Sequence, residues 1–163
     1  MITTAFVKIW GETIGAVAWD ENSGTASFEY EPKFIAQSID LAPLKMPINN
    51  ATNRIFSFPE LRNTKTFKGL PGSLADVLPD DYGNQLINIW LAQNGRPENS
   101  MNPVEMLCFI GTRGMGALEF EPSQLKVNKR AFDIEVDELI QMSQKMLTKR
   151  DAFETNLAKD EQQ

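Results

Sequence analysis

Apolar and polar positions alternate most cleanly from Ala26 to Glu31. Ala26, Phe28 and Tyr30 fall on one side of an extended chain, and Ser27, Glu29 and Glu31 on the other. Strand side chains point to opposite faces with a period of two, so this pattern predicts a half-buried antiparallel strand. Two earlier stretches, Ala5 to Trp10 and Thr13 to Trp19, are rich in β-formers and are separated by Gly11-Glu12, read as a two-residue turn. Turn-formers fill Asp20 to Gly24. Three short consecutive strands predict a meander.

Between Pro43 and Pro71 the periodicity fades. Pro43, Pro47 and Pro59 forbid long helices, and Arg54 to Lys68 reads as a flexible loop with Phe56, Phe58 and Phe67 as anchors to a core. Helical spacing then takes over. Ser73 is placed to cap Leu74 to Leu78, with Asp76 three residues on and Pro79 closing the helix. A longer helix follows Pro79-Asp80-Asp81 and runs to Asn94. It has Leu86, Ile87, Trp90 and Leu91 on one face, and Gly95 and Pro97 stop it. The sharpest helix start is Asn102-Pro103-Val104-Glu105, a cap, a proline in the first position and a carboxylate in the third, with Gly111 as the C-terminal stop. Met115 to Phe120 reads as a last strand. Phe28 and Leu118 are expected core residues of the sheet.

No glycine follows Gly116. Val136, Leu139, Ile140, Ser143, Met146 and Leu147 fall on one helical stripe behind Asp133, and the end of the chain is polar. The chain therefore divides into a body, residues 1–123, and a helical extension, residues 124–163. The stripe at Val136, Leu139, Ile140, Met146 and Leu147 needs a cover: this body, a second copy in a homodimer, or another protein. The fold class is α+β, a small antiparallel β-barrel or meander sheet capped by helices.

Composition narrows the function. The 163 residues, 42% of them hydrophobic, suit a domain with a real core. The net charge is −6 and the basic residues are scattered, which argues against nucleic-acid binding. No apolar run nears the ~20 residues of a membrane span, and the start, Met1-Ile2-Thr3-Thr4, lacks a signal-peptide pattern. With a single cysteine, Cys108, no internal disulfide forms. These features point to the cytoplasm.

Candidate chemistry is sparse. The chain has no histidine, which removes the commonest general base and metal ligand. Cys108, between Leu107 and Phe109, reads as a buried structural thiol. The segment Gly111 to Gly116 resembles a phosphate loop in composition but not in order, because it follows a helix and opens a strand. Gly111 is better read as a helix cap, and Arg113 as an exposed partner contact. Asp80 and Asp81 are adjacent and serve a helix start better than an acid/base pair. Trp10, Trp19 and Trp90 read as core, with a place for one of them at an interface rim, where aromatics are enriched, as the alternative. No catalytic, cofactor-binding or metal-binding residue is identified.

The order of motifs carries a resemblance. After the meander come Phe67-Lys68-Gly69-Leu70-Pro71-Gly72-Ser73-Leu74-Ala75-Asp76-Val77-Leu78-Pro79-Asp80, then Asn102-Pro103-Val104-Glu105-Met106-Leu107-Cys108-Phe109-Ile110-Gly111, then Thr112 to Pro122 with Gly114, Gly116 and Ala117-Leu118. This resembles the N-terminal domain of HipA-type toxin kinases of bacterial type II toxin–antitoxin systems over nearly the whole chain. The resemblance implies a non-catalytic β-barrel domain of a serine/threonine protein kinase that uses ATP and magnesium in a later core. It also implies contacts with that core and with HipB, a helix-turn-helix antitoxin. The nucleotide loop and the catalytic and metal-binding aspartates belong beyond Gln163, so none carries over to a residue here. A free-standing antitoxin like HipS is the alternative; the long extension favours a piece of a full-length kinase.

Overall fold

The computed structural model describes residues 1–49, 51–114 and 116–123. The predicted extension, with Val136, Leu139, Ile140, Met146 and Leu147, lies outside the described residues. Those described form two compact units, one holding residues 1–80 and 99–123 and the other residues 81–98.

The first unit is built on an antiparallel sheet. Strands β1 (Thr4–Ile9), β2 (Glu12–Asp20) and β3 (Thr25–Tyr30) form the predicted meander. β4 (Ile55–Ser57) pairs with β3, and β5 (Leu118–Pro122) pairs with β1, giving the order β4-β3-β2-β1-β5. The fold is α+β as expected, but the five-stranded sheet is open and not closed into a barrel. β4 and β5 are its edges, and Pro122 at the end of β5 sits where a missing N–H is tolerated.

The register sorts side chains by face. Val7 lies opposite both Gly15 and Phe120, Val17 opposite Phe28, and Phe28 opposite Phe56. All of these are buried and, with Ala5, Ala26 and Tyr30, make the inner face. Large rings flank small residues at its centre. Tyr30 stacks on Phe34 with centroids 5.9 Å apart and meets Phe28 and Phe56 edge-on. Its hydroxyl donates to the Met46 carbonyl at 2.9 Å, which ties the loop before β4 to the sheet. Burial, with the charge of Asp40, pushes the Tyr30 phenol up to about 12. A Cβ on Gly15 would lie 2.7 Å from the Phe28 ring, so this position in β2 accepts no side chain.

Helix α4 (Pro103–Ile110) packs near β1, β2 and β5, and Val104, Leu107 and Cys108 join the sheet's core. Its predicted start is observed: the Asn102 Oδ1 accepts from the Glu105 N–H at 2.8 Å. Gly111 caps the other end with φ +60°, its N–H donating to the Leu107 carbonyl at 2.9 Å.

Several boundaries differ from the sequence reading. The β1–β2 turn is Trp10-Gly11, not Gly11-Glu12, because Ile9 pairs with Glu12 and both turn residues have positive φ. Such primed turns match the twist of the strands, and glycine in the second slot satisfies one of the two positive angles. Helix α2 is Gly72–Ala75, starting two residues and ending three residues earlier than expected, with extended Pro71 in the capping position. Ser73 is thus already inside the helix and caps nothing. Its Oγ is buried without a hydrogen-bond partner. The Arg54–Lys68 segment holds β4 and a 3₁₀ turn, Pro59–Leu61. Phe56, Phe58 and Phe67 do anchor it to the core. A short helix, α1 (Pro32–Ile35), was not foreseen; it buries Phe34. The last strand starts at Leu118 rather than Met115. Phe120 is its buried residue, while Leu118 is only partly buried against the core.

In the second unit, α3 (Asp81–Gln93) matches the predicted helix. Ile87, Trp90 and Leu91 are buried, Leu86 is half-buried, and Asp81 sits in the first turn. Gly95 follows with φ +67°, and the Arg96 N–H reaches back to the Leu91 carbonyl at 2.8 Å. This is the left-handed glycine stop that the sequence predicts.

Candidate protein-contact surface

The described residues offer little covalent chemistry. Cys108 is buried, and burial, reinforced by the neighbouring Glu105 charge, pushes its thiol up to about 12. A thiol so far from its thiolate form is a poor nucleophile. No group of three His, Cys, Asp or Glu side chains among the described residues is placed to hold a metal ion. The loop from Gly111 follows α4 and leads into β5, as its sequence order requires. Gly114 serves close packing, since a Cβ there would lie 2.6 Å from Val77. No helix among the described residues is long and apolar enough to cross a membrane.

Surface features are richer. Trp10 is 86% exposed at the tip of the β1–β2 hairpin, held at φ +50°. An L-residue in the left-handed region is disfavoured by roughly 1–2 kcal/mol, and asparagine or glycine fills this slot far more often. A large indole there is therefore unfavourable twice, once for its backbone and once for its exposed apolar area. Trp19 is half-buried against the core, so of the three tryptophans Trp10 is the one the sequence misplaced. The signal was present: in a turn read one residue earlier, Trp10 leaves the strand.

Arg113, the candidate contact from the sequence, is exposed on the α4–β5 loop, its N–H donating to the Ile110 carbonyl at 3.0 Å. That loop enters β5 at Leu118, which pairs with Ile9, the residue before Trp10. The sheet thus brings the end of the Arg113 loop and the Trp10 turn to the same edge of the structure. The remaining sequence candidates, Val136, Leu139, Ile140, Met146 and Leu147, lie outside the described residues.

A second apolar feature is a groove of about 280 Å³ lined by Ala42, Leu44, Met46, Phe58, Pro71 and Ser73, among others. Leu44 on its rim is 93% exposed. No local pattern announces it, because it forms where Phe58 and the segments 42–46 and 71–73 meet in the folded chain.

The outward face of the sheet departs from the usual polar exterior. Phe6 is 39% and Ile55 64% exposed there, with Ala16 and Glu29 between them in the ladder. Lys8 is paired with Glu121 across β1 and β5.

A model of the HipA N-terminal domain family matches residues 5–121. No curated protein matches the chain.

Proposed function

The chain belongs to the HipA N-terminal domain family, matched over more than half of its length, and from that membership we propose that it acts by association. In this reading it is the non-catalytic part of a toxin–antitoxin kinase system. Its contacts are with a kinase core and with a helix-turn-helix antitoxin.

Trp10 is the observation that carries this reading. A protein that needed only to fold would place asparagine or glycine in that turn and a polar residue on its tip. Tryptophan is the residue type most enriched among those that dominate binding energy at interfaces. Its presence in a strained, exposed slot supports a role in contact with another protein.

Phosphoryl transfer needs a nucleotide loop and metal-binding carboxylates, and in this reading neither task falls to this chain. Titration of magnesium-ATP into the purified chain should give no saturable heat; micromolar binding would overturn that part. The association itself is tested by titrating the chain with a separately purified kinase core and with the helix-turn-helix antitoxin. At least one should bind. If neither does at tens of micromolar, the reading fails.

A further inference from the structure

The loop that follows α1 is held in one shape by hydrogen bonds. The Asp40 Oδ1 accepts from the Ile48 N–H at 2.6 Å, the Met46 N–H donates to the Ala42 carbonyl at 2.8 Å, and the Tyr30 hydroxyl ties Met46 to the sheet. Met46 and Ile48 are buried, which anchors the loop on its inner side. Pro43, Leu44 and Lys45 are turned out, with Leu44 93% exposed. The apolar groove lies where this fixed loop meets Phe58 and Pro71. Its walls are therefore set before anything enters, as in most small-molecule pockets.

Size and chemistry define the occupant. At about 30 Å³ of liquid per water, 280 Å³ holds roughly nine atoms of that size. That suits a small molecule; a stable protein interface would need roughly 800 Å² of surface from each partner. The walls from Ala42, Met46, Phe58 and Pro71 are apolar, so a water there finds few partners. Lys45 also lines the groove. It is exposed, and its ammonium has no ion pair or acceptor among the described residues. Ser73, the other polar side chain of the lining, has its Oγ buried without a partner. Among the described residues no acidic side chain lines the groove. Its polar side chains are thus donors that lack an acceptor. One ammonium balances one negative charge. A phosphate monoester carries nearly two and calls for a cluster of cations, so a carboxylate is the matching anion.

We propose that this groove binds a medium-chain fatty acid, with an apolar body of about six to eight carbons lying on Met46, Phe58 and Pro71 and a carboxylate accepting from Lys45 at the rim. Ser73 is a further donor in the wall. The inference stands apart from the association reading, since neither the Trp10 turn nor a protein partner enters it.

Titration of the full chain with octanoate and with 1-octanol, followed by calorimetry and by amide NMR signals, tests it. Octanoate should bind saturably, with shifts gathered at residues 42–46, 72 and 73. It should bind about threefold to fivefold more tightly than 1-octanol, and the gap should narrow as salt rises. Lys45→Gln should close that gap and leave the octanol affinity unchanged. From butanoate to octanoate the affinity should rise about fourfold per methylene until the groove is full. Leu44→Asp, at a site too exposed to matter for folding, should weaken octanoate about fivefold or more. Thermal melts check that both variants fold. No saturable binding in the low millimolar range overturns the proposal. So does equal affinity for octanoate and 1-octanol, or an affinity indifferent to chain length. Octanoate binding unchanged in both variants places the site elsewhere and overturns it as well. Tighter binding of a peptide ending in leucine, or a self-association abolished by Leu44→Asp, would assign the groove to a protein terminus or to a second copy instead.

Discussion

The side chain of Asn102 joins the start of α4 to the N-terminus: its Nδ2 donates to the Ile2 carbonyl at 2.9 Å while its Oδ1 caps the helix. Both partners are buried. The bond spans a hundred residues of sequence and fixes α4 against the segment that opens β1.

Replacing Asn102 therefore has two separable effects. Asn102→Ser keeps a capping oxygen but cannot reach Ile2, and should cost about 1 kcal/mol. Asn102→Ala removes the cap as well and should cost about 2–3 kcal/mol in urea unfolding. An unchanged stability for Asn102→Ser would show that the Ile2 bond contributes nothing, and equal losses for the two variants that the cap contributes nothing.

Gly15 should tolerate no side chain. It is buried in the middle of β2, and an added methyl would meet the Phe28 ring and the Glu29 carbonyl. Gly15→Ala should lower stability by about 1–3 kcal/mol. Gly11→Ala gives a contrasting case: open space surrounds it, and the penalty there comes from its φ of +80°. An unchanged midpoint for Gly15→Ala would contradict the β2–β3 packing.

Trp10 should show a trade between stability and association. Trp10→Asn relieves the turn, since asparagine tolerates positive φ, and should raise stability by about 1 kcal/mol. The same change should weaken binding to whichever partner uses the hairpin tip. A variant that is both more stable and equally able to bind would remove Trp10 from the interface.

Alkaline pH should destabilise the first unit through Cys108 and Tyr30. Each has its folded value raised to about 12, from ordinary values of 9.0 and 10.0. The unfolded chain thus loses these protons first. The stability they confer is complete below about pH 9, and it declines as the pH rises towards 12. Unfolding midpoints measured from pH 7 to 11 should fall above pH 9. In the same range the native thiol should resist alkylation until the protein unfolds. Rapid labelling of Cys108 in the native protein at pH 8 would contradict its burial.

Much of the architecture could be read from neighbours a few residues apart. The alternation at Ala26 to Tyr30 set the inner face of β3, because a strand's side chains alternate whatever lies beside it. Asn102, Pro103 and Glu105 fixed the start of α4, since capping is settled within one turn, and Gly95 and Gly111 ended their helices for the same local reason. The absence of histidine, with a lone cysteine between Leu107 and Phe109, pointed away from histidine-based chemistry before any coordinates. Tertiary structure decided the rest. Three residues, Ile55–Ser57, are too few to show a period, and they are a strand only because Phe56 finds Phe28 across the ladder. The sheet stays open because β4 and β5 end as edges without pairing, a question of long-range closure that no local pattern encodes. Trp10 illustrates the sharpest division. A hairpin register shifted by a single residue carries its side chain from the core of a strand to the tip of a turn, and strand pairing over the whole of β1 and β2 sets that register.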